Sequence, residues 1–190
     1  MMETDVFIAG AGLAGSIAAL SYSKTGRNVI IADPFVYNDN AQVDYRTTAY
    51  LQPSKLFLER LGIWETIEDI AIPLEVMKII DSSIDENRTK IKSQKEFKSA
   101  EISDLPFGWN VKNSLMRAGL KSLIDQQSNC KLITNSSAID LVCRDSMAYL
   151  KLSSGNTVKA KLVIAADGRN SILREKAGIS VKTHRFGQKA

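Results

Sequence analysis

The chain has 190 residues, 44% of them hydrophobic, enough for one large packed domain or a domain and a part of another. Lys and Arg number 25 against 21 Asp and Glu, a net charge of +4 with no basic block dense enough to track a phosphate backbone, which argues against a nucleic-acid partner. No apolar run approaches the roughly 20 residues of a membrane span, the acidic Met-Met-Glu-Thr-Asp start lacks a signal peptide's basic region, and Cys130 and Cys143 stand at neither metal nor redox spacing; a cytoplasmic protein is expected, metal-free, with both cysteines reduced and in the core.

Residues 5–34, DVFIAGAGLAGSIAALSYSKTGRNVIIADP, read as a strand, a glycine turn, a helix of small and apolar residues, and a second strand over 28–33: a βαβ unit. PSKLFLERLGIW and ETIEDIA read as two short helices, with Pro53 at a start and Gly62 as a stop. From Leu74 to Val111, LEVMKIIDS, TKIKSQKEF and GWNVK look like strands between polar turns, an antiparallel patch set into an α/β chain. Helical periodicity returns in NSLMRAGLKSLIDQQS, with Leu115, Leu120, Leu123 and Ile124 on one face and Asn113 as a cap. Four strands follow, CKLIT, AIDLVCRD, MAYLKLS and KLVIAADG, with a hairpin turn at 153–156, and then a last helix after Asn170 and Ser171.

Gly10, Gly12 and Gly15 form G-x-G-x-x-G, a pattern that alone is weak; its place between a strand and a helix gives it weight. Gly10 permits the tight turn, Gly12 leaves room for a pyrophosphate against the backbone, and Gly15 lets the helix close on the strand. Leu13 and Ala14 open the helix, where free N–H groups favour an anion. Asp33 ends the second strand at the spacing expected of a ribose ligand; its charge would repel a 2′-phosphate, so FAD or NAD is favoured over NADP. These residues do not separate FAD from NAD.

VFIAGAGLAGSIAALSYSKTGRNVIIAD, DYRTTAYLQPSKLFLERLGIWETI, WNVKNSLMRAGL, ADGRNSILREKAGI and HRFGQKA together resemble the N-terminal half of the FAD-dependent aromatic hydroxylases, the class A flavoprotein monooxygenases. Within these the chain is most similar to the ubiquinone-biosynthesis hydroxylases of the polyprenyl-methoxyphenol type. The resemblance implies an α/β fold, a Rossmann-like FAD/NAD(P)-binding domain (GR2 type) over 1–73 and 112–180, and a partial antiparallel substrate-domain insertion over 74–111 and 181–190. It implies FAD as cofactor, NADH or NADPH as electron donor, and O2 and a polyprenyl phenol as substrates. It also implies peripheral contact with the inner membrane and membership of a ubiquinone-biosynthesis complex.

By the same resemblance Arg46 contacts the FAD diphosphate region, although a solvated loop residue would read alike. Asp167 and Gly168 match a second dinucleotide motif at the end of a strand beside the pyrophosphate, with Asp167 acting through backbone amides, water or ribityl hydroxyls. Arg169 and Arg174 supply positive charge there, and Arg174 is implicated in holding the loop and meeting the nicotinamide donor. Asn113 matches a position that approaches the flavin, an alternative to its role as a cap. His184, the sole histidine, is expected at the surface or in packing. No residue stands out as acid, base or nucleophile.

The family's third motif, a Gly-Asp before an alanine-rich helix, has no counterpart here, so the chain is expected to be a piece of a protein about twice as long. Another flavoprotein of the same cofactor fold, such as a geranylgeranyl reductase or a halogenase-like protein, or an inactive dinucleotide-binding fragment, are the competing readings.

Overall fold

A computed structural model describes residues 1–35, 44–85 and 88–187. In chain order its elements begin β1 (Met2–Ala9), α1 (Leu13–Lys24), β2 (Val29–Ala32), β3 (Thr47–Leu51), α2 (Gln52–Arg60), β4 (Ile72–Leu74), β5 (Val76–Asp85) and β6 (Arg88–Lys98). They continue with β7 (Gly108–Lys112), α3 (Asn113–Asp125), β8 (Cys130–Ile133), β9 (Ala138–Arg144), β10 (Met147–Leu152), β11 (Thr157–Ala165) and α4 (Ile172–Lys176). The chain divides into two compact units, Met1–Gln42 with Leu120–Ala190, and Val43–Gly119.

The first unit is built on a six-stranded sheet ordered β8-β2-β1-β11-β10-β9. The first four strands run parallel, and β10 and β9 extend the sheet as an antiparallel meander. β1 lies inside, and its Val6-Phe7-Ile8-Ala9 run is buried on both faces, as a strand covered on both sides must be. Alternate residues serve separate cores. Val6, Ile8, Val29 and Ile31 pack against Ala11 and Ala19 at α1, while Phe7, Ala9, Ile30 and Ala32 pack with Leu150, Leu152 and Leu173. Removing side chains such as Phe7, Ile8 and Ile31 from water stabilises the unit by about 1.5–3 kcal/mol each.

The second unit holds a three-stranded antiparallel sheet, β3-β7-β4, and the hairpin β5-β6. Pro53 stands at the start of α2, where its missing N–H costs no bond, and Gly62, at φ 61°, ends the helical path. Trp64 and Ile67 are buried beneath this segment. The chain passes from one unit to the other after Gln42 and again within α3.

The expected α/β architecture with inserted antiparallel strands is what the structure has, and four local expectations need correction. ETIEDIA is not a second helix: it folds as two 3-10 turns, Trp64–Thr66 and Glu68–Ile70. TTAYL forms the strand β3, absent from the sequence reading. On α3 the buried row is Met116, Leu120 and Ile124, a strict i, i+4, i+8 spacing, whereas Leu115 is 43% exposed. Cys130 is half-buried, and Cys143 is exposed on β9 rather than in the core. His184 is exposed, as expected. Among the described residues no helix is long and apolar enough to cross a membrane, and no cluster of side chains could hold a metal ion.

Candidate functional site

The glycine turn between β1 and α1 is shaped by three close passages of backbone. Gly10 has φ +94° and donates its N–H to the Ala32 carbonyl at 2.8 Å; a Cβ there would lie 2.7 Å from the carbonyl carbon of Ala166. A Cβ on Gly15 would fall well under 3.0 Å from the Gly10 carbonyl oxygen and 3.2 Å from the Ala166 Cβ. Both glycines are therefore required by the protein's own packing. Gly12 is different: its φ of −66° and ψ of −177° suit any residue, and a Cβ added there meets nothing within 4 Å. Nothing in the fold demands glycine at position 12, and the free space it leaves adjoins the helix start.

That helix start is open to an anion. The first bond of α1 runs from the Ser16 N–H to the Gly12 carbonyl at 2.9 Å, so the amides of Leu13, Ala14 and Gly15 have no acceptor within the helix. No side chain caps them, and the first turn holds no acidic residue. Asp33 is fixed beside the turn: Oδ2 accepts the Ala11 N–H at 2.6 Å and Oδ1 the Phe35 N–H at 2.7 Å. Each carboxylate oxygen keeps a further lone pair for a ligand hydroxyl.

β11 runs alongside β1 in register, Ala9 opposite Ala165, and the Ala166 N–H donates to the Ala9 carbonyl at 2.8 Å. The loops leaving these two parallel strands therefore emerge side by side at their carboxyl ends, where open α/β sheets bind ligands. Asp167 turns Oδ2 onto the Ile172 N–H at 2.9 Å, with the Leu173 N–H at 3.4 Å, and so anchors the start of α4. Its Oδ1 is buried without a hydrogen-bond partner among the described residues, an acceptor in need of a donor. Ser171 caps α4 by accepting the Arg174 N–H at 3.0 Å. The carboxylate, the glycine and the cap after the KLVIAA strand thus have separate tasks, since Gly168 adopts φ +87° and its missing side chain opens onto free space.

A groove of about 390 Å³ joins the two loops, with Gly10, Gly12, Asp33, Asp167, Gly168 and Asn170 among its walls. Five of the residues singled out from the sequence thus meet at one place. Gly15 lies beneath it, and Leu13 and Ala14 begin the adjoining helix. Arg174 is elsewhere: it lines a cavity of about 730 Å³ against α4, bordered by Met147, Leu162 and Ile179, which Gly168 also touches. Arg169 is exposed. A dinucleotide fits what these residues offer: space over Gly12, free amides for phosphate, a carboxylate for ribose hydroxyls and an acceptor at Asp167.

Arg46 and Asn113 belong to the Val43–Gly119 unit. Arg46 is exposed and pairs with Asp44, Nε to Oδ1 at 2.8 Å and Nη2 to Oδ2 at 2.9 Å. Hydrogen bonding from this guanidinium is the main reason the Asp44 carboxyl is held down at about 2, and the same pairing raises Arg46. Asn113 does not use its side chain as an N-cap. Its N–H donates to the Arg46 carbonyl at 2.9 Å and its Oδ1 accepts the Thr48 hydroxyl at 2.7 Å, tying α3 to the start of β3. Asp44 and Thr48 were not singled out from the sequence; the two-residue spacing of an acid and a base in Asp-Tyr-Arg was the available signal.

Comparison with known proteins supplies the family and the fold. The profile of a family described as FAD binding domain matches residues 3–188. Among curated proteins, 3-demethoxyubiquinol 3-hydroxylase of Escherichia coli K12 is 28% identical over 188 residues, covering 97% of this chain and 46% of that protein. Ubiquinone hydroxylase UbiL of Rhodospirillum rubrum is also 28% identical, over 98% of this chain and 42% of its own length. The chain therefore spans less than half the length of these relatives. The flavin-dependent monooxygenase PieE, solved with FAD and substrate, superposes with a TM-score of 0.76 at 18% identity, over 93% of this chain and 32% of that one.

Proposed function

The chain belongs to the FAD binding domain family, and from that premise we propose that it is the FAD-holding part of a monooxygenase that hydroxylates the ring of a polyprenyl phenol in ubiquinone biosynthesis. The observation that carries the reading is the shared groove: Gly12 and Asp167, 155 positions apart in the sequence, line the same cleft together with Asp33. The nearness of the ubiquinone hydroxylases over nearly the whole chain supports the substrate class.

Bound FAD supplies the redox chemistry that links NADH or NADPH to O2 and the phenol ring. The chain's residues hold and orient it. The amides of Leu13, Ala14 and Gly15 take the pyrophosphate over Gly12, and Gly10 keeps the turn tight beneath it. Asp33 takes the adenosine ribose hydroxyls and rejects a 2′-phosphate. Asp167 and Gly168 close the other wall, Arg46 meets the diphosphate, Asn113 holds the backbone of Arg46 at the start of β3, and Arg174 faces the donor. Residues 1–73 and 112–180 form the cofactor domain, and 74–111 with 181–190 begin the substrate domain. The lipid tail of such a substrate favours a cytoplasmic protein that works at the inner membrane surface, within a ubiquinone-biosynthesis complex.

The test is an assay of the purified protein, loaded with FAD, with a short-chain prenyl methoxyphenol and either NADH or NADPH. Product carrying one oxygen from labelled O2 on the ring supports the reading. Oxidation of the donor with an unchanged ring refutes the substrate class.

A further inference from the structure

The Asp44–Arg46 pair has a geometry that bears on what Arg46 can still bind. A guanidinium offers two edges for paired hydrogen bonds, one formed by Nε and a terminal nitrogen, the other by the two terminal nitrogens. Asp44 takes the first, through Nε at 2.8 Å and Nη2 at 2.9 Å. The second edge, Nη1 with the remaining proton of Nη2, has no partner among the described residues and belongs to a side chain 75% exposed. The backbone beneath is held as well, because Asn113 bonds the Arg46 carbonyl and the Thr48 hydroxyl, and Asn113 is itself buried. The charge Asp44 brings is shared with a second guanidinium, Arg117, whose Nη2 lies 3.8 Å from Asp44 Oδ2. Two guanidiniums about one carboxylate leave a net positive site.

We propose that Asp44 is a positioning residue that clamps the inner edge of Arg46 so that the outer edge is presented to a pair of phosphate oxygens, with Arg117 offsetting the carboxylate's repulsion. The proposal rests on the reading that Arg46 meets the FAD diphosphate. An arginine oriented beforehand loses less freedom when it binds its anion, which is where the affinity comes from. Asp44 is in this account a partner of the bound state and not an occupant that phosphate displaces.

The test is titration of the full chain with FAD, followed by flavin fluorescence, for wild type, Asp44→Asn, Asp44→Glu, Arg46→Ala and the Asp44→Asn/Arg46→Ala double variant, with melting curves to verify folding. Asp44→Asn is expected to raise Kd about tenfold, the scale of one charge-assisted hydrogen bond, and Asp44→Glu to recover part of the loss. The double variant is expected to bind no more weakly than Arg46→Ala, because Asp44 acts only through that side chain. Losses that multiply in the double variant, or an Asp44→Asn protein that binds FAD as tightly as wild type or tighter, overturn the positioning role. Arg46→Ala binding FAD normally refutes the underlying reading of Arg46 and the proposal with it. Should Asp44→Asn fail to fold, the comparison of Asp44→Glu with and without Arg46→Ala decides by the same criterion.

Discussion

Gly12→Ala separates a glycine kept for a ligand from glycines kept for the fold. The backbone at Gly12 is already in a region open to alanine, and the added methyl meets no atom within 4 Å, so the folded protein accommodates it. Alanine is a poorer N-cap than glycine by several tenths of a kcal/mol or so, while the stiffer unfolded chain returns about 0.4–1 kcal/mol; the net change in stability is expected to stay within about 1 kcal/mol. For a chain of this size that is a Tm shift of no more than about 2–4 °C. Gly15→Ala is the contrast, since its methyl would sit well under 3.0 Å from the Gly10 carbonyl oxygen and must push α1 off β1. Overpacking of that kind costs on the order of 3 kcal/mol, a Tm loss of roughly 6–12 °C. Binding is expected to order differently: Gly12→Ala fills the space over the turn and weakens FAD by about a hundredfold or more, the scale of a displaced, charge-assisted phosphate contact. Calorimetric melting and FAD titration on the same preparations give both numbers. A Gly12→Ala protein that keeps wild-type FAD affinity refutes the assignment of the groove, and one that melts as low as Gly15→Ala refutes the packing argument.

Ser171→Ala removes the cap of α4 and is expected to lower stability by about 1 kcal/mol, read as a Tm drop of about 2–4 °C, with Ser171→Asp restoring most of it. The Asp44 carboxyl falls from 3.8 to about 2 on folding, so its contribution to stability is complete above the unfolded value and disappears as the pH falls from about 4 towards 2. Melting temperatures of wild type and Asp44→Asn are therefore expected to converge over that interval, and a difference that stays constant down to pH 2 contradicts the pairing. Burial pushes the Cys130 thiol up to about 11, whereas Cys143 is exposed. Alkylation at pH 8 followed by mass spectrometry is expected to modify Cys143 first and Cys130 only as the protein unfolds; the reverse order contradicts the placement of β8 and β9.

The βαβ unit was legible because its signals are local: an apolar run, three glycines at fixed spacing, and a helix of small residues that must lie close to its strand. Gly10 and Gly15 are explained by contacts with each other and with Ala166, and the last of these lies far along the chain, so the sequence could suggest their roles only by pattern. The role of Asn113 is hidden in the sequence for the same reason. An asparagine opening a helix looks like a cap, and only the return of Thr48 beside it shows that the side chain is occupied. β3 escaped notice because Leu51 passes directly into α2 at Gln52, with no turn residues to mark the boundary. ETIEDIA reads as a helix from its sequence, yet the three-residue spacing of Ile67 and Ile70 suits a 3-10 turn as well as an α-helix. On α3 the periodicity alone does not choose between Leu115 and its neighbour Met116, because the choice depends on what packs beneath.

The central claim is that the glycine turn and the Asp167-Gly168 loop hold one dinucleotide between them, and a crystal structure of the protein grown with FAD tests it most directly. The account predicts pyrophosphate density over Gly12, against the amides of Leu13 and Ala14, with the adenosine ribose on Asp33 and the chain of the cofactor passing Asp167. Density for FAD elsewhere on the protein, or a groove that stays filled by solvent at saturating FAD, would contradict it.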